Sequence, residues 1–210
     1  MTELILVRHG VTAWNRERRF QGHTDRGLDE EGREQARRAA ARLAREPVDA
    51  IYASDLGRAW QTAEPLGEAT GLAPRSEPAL RERYYGDFEG RSHDELAHES
   101  PEAFARWERR EPDFELPGGG ESLRAFDARV RAALGELAAR HRGQRVVAVT
   151  HGGVLDCAYR AARGLGLEAP REHALLNASI NRIGWRDGAF FLIDWADVGH
   201  LSGAGDDAGA

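Results

Sequence analysis

Two short segments of the chain repeat one pattern: Val7-Arg8-His9-Gly10 and Val149-Thr150-His151-Gly152 each place a histidine directly after an apolar run and a glycine directly after the histidine. An imidazole titrates near neutrality and can act as a nucleophile or carry a proton. A guanidinium beside each half of such a site would make it a phosphate pocket, because arginine meets phosphate oxygens with paired, charge-assisted hydrogen bonds. Arg8 adjoins His9, and Arg58 follows another apolar run, Ala50 to Ala53, with Ser54 placed to cap the intervening helix start. Taken singly, each histidine reads as a hydrogen-bonded loop residue and Arg58 as a surface arginine. A metal site is the rival for the pair, but a third ligand at convincing spacing is missing. His93 and His98, five apart among acids, read as a solvated face.

The elements that must position these residues follow from the apolar pattern. Leu4 to Val7 and Val146 to Val149 are unbroken apolar runs, suited to strands buried on both faces of a parallel sheet. Ala36, Ala39, Ala40 and Leu43 fall at helical spacing between Gly32 and Arg45, the strand at Ala50 follows, and a further helix spans Leu56 to Thr70. This alternation predicts an α/β fold: a three-layer sandwich with a mostly parallel central sheet, helices on both faces and a lid insertion. In open sheets of this kind, ligands bind beyond the carboxyl ends of the strands, where strand order reverses, so the two histidines can face one another. Gly152-Gly153 then opens a helix whose N-terminal amides favour an anion. Residues 83–120 lose periodicity amid Pro101, Pro112, Pro117 and Gly118-Gly119-Gly120, and read as the lid. Leu123, Phe126, Val130, Leu134 and Leu137 predict a long helix reaching about His141, and Arg186-Asp187-Gly188 marks the turn of an edge hairpin. One domain over residues 1–201 and a disordered tail over 202–210 are expected.

Composition limits the partners. With 29 basic and 35 acidic residues the net charge is −6, opposite to the footprint of a protein that coats nucleic acid. All 29 basic residues are arginines, so lysine Schiff bases and P-loop lysines are excluded. The single cysteine, Cys157, lies on an apolar helix face and reads as core. No apolar run approaches a membrane span or a signal-peptide core, so a soluble, cytoplasmic protein without nucleic-acid or membrane partners is expected.

Taken together, the segments Leu4 to Asn15, Phe20 to Asp25, Leu28 to Gly32, Ser54 to Ala63, Leu80-Arg81-Glu82, Gly86 to Gly90, Pro117 to Ser122 and His151 to Gly153 resemble the histidine phosphatase superfamily, the phosphoglycerate-mutase-like group with an Arg-His-Gly signature. The resemblance implies a phosphohistidine mechanism without metal or cofactor, acting on a small phosphorylated metabolite: His9 attacks phosphorus, with Arg8, Arg58 and His151 around the phosphate and Asn15 as a neutral donor. It further implies that Glu82 is the general acid and base, with Glu89 as its backup. Gln21, Gly22 and Gly152 complete the expected phosphate-binding set, with backbone amides after Gly22 and His151 as added donors. Gln21 and His23 have either a contact or a plain turn role, and Trp14, Tyr84, Tyr85, Phe88 and Trp107 either line the pocket mouth or pack.

Within that resemblance the phosphatase branch is favoured. Mutases of the family carry a lysine after the acid segment and an Arg-Arg-Ser-Tyr stretch, whereas this chain has no lysine and its Arg109-Arg110 precedes Glu111-Pro112. A cofactor-dependent phosphoglycerate mutase is the alternative, with Arg109-Arg110 reaching a substrate carboxylate. A phospholigand-binding module without turnover is a third reading, opposed by the intact residue set. The C-terminal hairpin offers an edge for a homodimer.

Overall fold

The computed structural model describes residues 1–202; the remainder of the expected tail, 203–210, lies outside the described residues. In chain order the elements are β1 (Thr2–Arg8), α1 (Ala13–Arg16), α2 (Glu30–Leu43), β2 (Ala50–Ala53), α3 (Gly57–Thr70), β3 (Arg75–Ser76), α4 (His93–Glu99), α5 (Pro101–Glu108), α6 (Leu123–Arg140), β4 (Arg145–Thr150), α7 (Gly152–Arg163), β5 (Ile180–Arg186) and β6 (Ala189–Asp197), with short 3-10 turns between some of them.

The strands form one sheet in the order β3-β2-β4-β1-β5-β6. Pairings among β3, β2, β4 and β1 are parallel, and the final hairpin adds two antiparallel strands beyond β1. The continuous apolar runs have the burial expected of central strands: alternate residues feed different cores. Leu4, Leu6, Val146 and Ala148 pack with Phe126, Val130, Leu134 and Leu155 of α6 and α7. Ile5, Val7, Val147 and Val149 pack with Ala40, Leu43, Ala59, Ala63 and Leu66 of α2 and α3. Helices therefore cover both faces of a mostly parallel sheet, as the alternation of patterns predicts. Cys157 is buried in the first core, and burial there pushes its thiol pKa well up, so it is an inert core residue.

Register is what brings the two histidine segments together. β1 and β4 are parallel neighbours with Arg8 opposite Thr150, so His9 and His151 leave the sheet side by side. The chain departs from β1 toward the β2 side and from β4 toward the β5 side, which makes this pair of strands the point where strand order reverses.

The lid segment is more ordered than its sequence suggests. It holds α4, begun by a Ser92–Glu95 capping box, and α5, begun by Pro101. These enclose a small core of Phe20, Phe88, Leu96, Phe104 and Leu116. His93 is exposed on α4 as expected, with one side of its ring packed 5.0 Å from Phe20 and 5.5 Å from Trp107. His98 is exposed on the same helix, also as expected.

Candidate active site

His9 follows the last residue of β1, and His151 caps α7 directly after β4. Their ring centroids are 5.2 Å apart, and both residues are almost wholly buried. His9 Nδ1 lies 2.7 Å from the Gly10 carbonyl oxygen. A carbonyl can only accept, so Nδ1 carries the proton and Nε2 keeps its lone pair. Burial, followed by the charges of Arg58 and Arg8, holds the His9 pKa well below its usual value, so the ring is neutral and nucleophilic. Burial and Arg58 lower His151 in the same way.

Arg58 sits in the first turn of α3 and is 1% exposed, with its Nη2 donating to the Gly22 carbonyl (2.7 Å) and its Nη1 to that of Thr24 (3.2 Å). Arg8 donates through Nη1 to the Leu175 carbonyl. Among the described residues neither guanidinium has a carboxylate within ion-pair distance, and desolvation lowers both pKa values. Arg8 Nε, Arg58 Nε and His151 Nδ1 are all buried polar atoms without a hydrogen-bond partner among the described residues. Buried donors left unmade cost stability, and the buried Arg58 cation without a counter-charge costs more, so these three groups fit an anion.

The supporting contacts differ from some expectations. Ser54 does not cap α3: the helix has no side-chain cap bond from its own N-cap residue, and Asp25 Oδ1 accepts the Gly57 amide instead at 2.8 Å. Ser54 Oγ lies 2.8 Å from His151 Nε2. The amides after Gly22 are not open donors either, because Glu89 accepts from the amides of His23 and Thr24 (2.8 Å each), from the Thr24 hydroxyl and from the Tyr85 amide (3.1 Å). Glu89 is thus a staple between two loops, and its four donors leave it no place as a backup acid. Gly22 itself has φ +51°, and a Cβ there would meet Glu89 Oε1 at 1.9 Å, so the turn needs glycine.

Glu82 stands differently. Its carboxylate accepts only the Arg83 amide (2.8 Å) and the Gly153 amide in the first turn of α7 (3.0 Å), and it lines the open cleft beside Arg8 and Gly152. His23 Nε2 donates to the Glu82 carbonyl at 2.9 Å and so ties down the Glu82 backbone. Asn15 Oδ1 accepts from the Thr12 amide (3.0 Å) and from Asn177 Nδ2 (3.3 Å), which leaves its own NH2 as the donor group. Gln21 Oε1 accepts from the Thr12 hydroxyl at 3.0 Å.

The cleft has a volume of about 980 Å³. Arg8, Glu82 and Gly152 line it together with Arg83, Tyr85, Trp107, Arg109, Arg110 and Arg171, whereas His9, Arg58 and His151 do not. Of the aromatics expected at the mouth, Tyr85 and Trp107 line it, Phe88 is buried in the lid core, Trp14 packs under Gly90, and Tyr84 lies beside His23. Arg110 is committed: it bonds Asp156 at 2.7 Å and the Leu167 carbonyl at 2.8 Å, tying the lid to α7 and to the loop after it.

Sequence reasoning missed several supporting residues. Thr62 joins the two halves, accepting from the Gly10 amide (3.1 Å) and donating to the Arg58 carbonyl (2.8 Å). It lies one turn after Arg58 on α3, and that spacing was the available signal. Asn177, whose Nδ2 donates to the His9 carbonyl at 3.0 Å, and His173 come from the loop after α7, which has no local pattern to mark them, and the charged Asp156 and Arg160 that His173 joins lie on α7 itself.

Residues 4–198 match the family model for the histidine phosphatase superfamily, branch 1. A metal-independent phosphoserine phosphatase of Arabidopsis thaliana is 41% identical over 209 residues, covering 98% of this chain and 85% of the relative. Phosphoglycerate mutase-like protein 4 of the same organism is 40% identical over 206 residues, covering 97% and 88%. The solved structure of Bacillus stearothermophilus YhfR superposes with a TM-score of 0.87 at 35% identity, covering 96% of this chain and all of that one. The chain belongs to the histidine phosphatase superfamily, branch 1.

Proposed function

We propose that the protein is a metal-independent phosphomonoesterase that hydrolyses a small phosphorylated metabolite through a phosphohistidine on His9. The observation that carries this reading is the neutral, tautomer-fixed His9 beside three buried donors without partners, on Arg8, Arg58 and His151. Phosphoryl transfer needs little from a protein beyond positioning and stabilisation of charge on the equatorial oxygens, and this set supplies both.

In the first step the His9 Nε2 lone pair forms a bond to phosphorus as the ester P–O bond breaks. Glu82, protonated, gives its proton to the departing alkoxide. In the second step the Glu82 carboxylate takes a proton from water, whose oxygen attacks phosphorus as the P–N bond breaks, and inorganic phosphate leaves. Glu82 fits both roles because it lines the open cleft together with Arg8, and the Gly153 amide fixes its direction. Asn15 and the Gly152 amide are the remaining donors for phosphate oxygens, the latter at the N-terminus of α7.

Transfer to a second hydroxyl, the mutase reaction, uses the same first step, and a relative named as mutase-like keeps that reading open at 40% identity. Arg110 gives it little support, since that guanidinium is engaged with Asp156. The test is phosphate release from a panel of phosphomonoesters, with phosphoglycerate interconversion measured alongside. Release is expected to dominate and to fall by at least about a thousandfold in His9→Ala, because loss of the nucleophile removes the covalent path. Interconversion far exceeding release would make the protein a mutase, and activity retained by His9→Ala would overturn the mechanism.

A further inference from the structure

Ser54 stands at the carboxyl end of β2, fully buried, at a position to which the reading above gives no chemical role. Its hydroxyl has two neighbours: the Leu56 amide, which donates to Oγ at 3.4 Å, and His151 Nε2 at 2.8 Å. An amide can only donate, so it cannot receive the hydroxyl proton. The one acceptor in reach of that proton is His151 Nε2, and a buried hydroxyl left without an acceptor would be costly. The assignment Leu56 N–H to Oγ, then Oγ–H to Nε2, satisfies all three groups.

A neutral imidazole that accepts at Nε2 must carry its proton at Nδ1. In His151, Nδ1 is the buried atom without a protein partner, beside the equally unpartnered Nε atoms of Arg8 and Arg58. The opposite tautomer would aim a lone pair at the same place, where it would repel the oxygens of a phosphate.

We propose that Ser54 is a positioning residue that locks neutral His151 in the Nδ1–H tautomer, making it a hydrogen-bond donor to the phosphoryl oxygens. The proposal rests on the phosphatase reading for the identity of the anion, while the tautomer itself belongs to the free protein. Since the donor acts on the transferring group, its loss affects substrates with good and poor leaving groups alike. In this respect Ser54 differs from Glu82, whose influence falls on the leaving group.

The experiment is 15N NMR of histidine-labelled protein with and without orthovanadate, the His151 signals being assigned with His151→Gln, together with kinetics of Ser54→Ala. The expected wild-type spectrum has a protonated Nδ1 and an unprotonated Nε2 at His151, and in Ser54→Ala the ring becomes a mixture of tautomers. Ser54→Ala is expected to lose about tenfold in kcat/KM, the effect of one weakened hydrogen bond, equally on p-nitrophenyl phosphate and on alkyl phosphates. A wild-type His151 protonated at Nε2 overturns the proposal whatever the activity. So does a Ser54→Ala protein that keeps the Nδ1–H tautomer, or one that has a lower Tm but an unchanged rate. Failure of the phosphatase reading is a separate result: no His9-dependent phosphate release from the wild type, with the spectrum unaffected.

Discussion

At the residue scale, two glutamates seven positions apart, both near the cleft end of the sheet, are separated by what their oxygens already do. Glu89 is saturated by three N–H donors and a hydroxyl, whereas Glu82 has two amide donors and an open face on the cleft. Glu82→Gln keeps the shape and removes the transferable proton. Its kcat on alkyl phosphates is therefore expected to fall by about 10²- to 10⁴-fold, the usual contribution of a general acid, with a much smaller loss on p-nitrophenyl phosphate. Comparing the two substrates in steady-state assays checks this, and equal losses would remove Glu82 from the acid role. Glu89→Gln is expected instead to disturb the loop that bears Gly22 and so to weaken every substrate. The sequence pattern alone could not make this distinction, because the donors that occupy Glu89 come from residues 23, 24 and 85, brought together only by folding.

At the element scale, much of the architecture was legible because it depends on local pattern. The apolar runs of β1 and β4 and the helical spacing of α2 and α6 mark buried strands and one-sided helices, and all four elements occur where they were expected. The lid was less legible for a physical reason: α4 and α5 have 7 and 8 residues, too few turns to display a period against their charged faces. The loop between α7 and β5 was not legible at all, since carbonyls and an ion cluster define it. Arg160, with no side-chain exposure, bonds Asp156 and the carbonyls of Gly166 and Ala169, while Arg110 and His173 approach the same carboxylate. Burial by itself would raise the Asp156 pKa, but these partners outweigh it and hold the carboxyl ionised far below its usual range. Asp156→Asn leaves Arg160 buried without its anion, and a loss of about 3–5 kcal/mol in unfolding free energy is expected from denaturant titration.

The first turn of α7 offers a second prediction at this scale. A Cβ on Gly153 would fall 2.1 Å from Glu82 Oε1 and 3.0 Å from the buried Phe126 ring, so Gly153→Ala must push the carboxylate aside and crowd that ring by a few tenths of an ångström. Alanine is the better helix former by about 1 kcal/mol, so stability has little reason to fall through the helix itself. The variant should therefore reproduce the leaving-group selectivity of Glu82→Gln in a folded protein. Losses that do not depend on the leaving group would mean that the helix start, and not the acid, had been disturbed.

For the whole molecule, the charge that matters is local. The chain carries a net −6, yet beside the cleft it groups two arginines that have no carboxylate partner among the described residues with two histidines kept neutral by burial and by those arginines. Such a site is attractive to a phosphate dianion and strained without one. The consequence for stability has a definite sign. Unfolded histidine titrates near 6.5, whereas folded His9 and His151 resist protonation well below that value. As the pH falls through 6.5 the unfolded chain takes up protons that the folded one refuses, so stability is lost downward from about that pH, by up to about 1.4 kcal/mol per pH unit for each histidine. His93 and His200 are also lowered by burial and add to the trend. Scanning calorimetry between pH 7.5 and 5 is expected to show a falling Tm. Saturating inorganic phosphate should raise the Tm and flatten the slope, because a bound anion offsets the charges of Arg8 and Arg58 and lets the two rings accept protons. The double variant His9→Gln, His151→Gln should show a shallower slope, with the part due to His93 and His200 remaining. A wild-type Tm that stays level over this range, or a slope that phosphate leaves unchanged, would mean that the buried histidines and arginines are not coupled in the way their burial and spacing require.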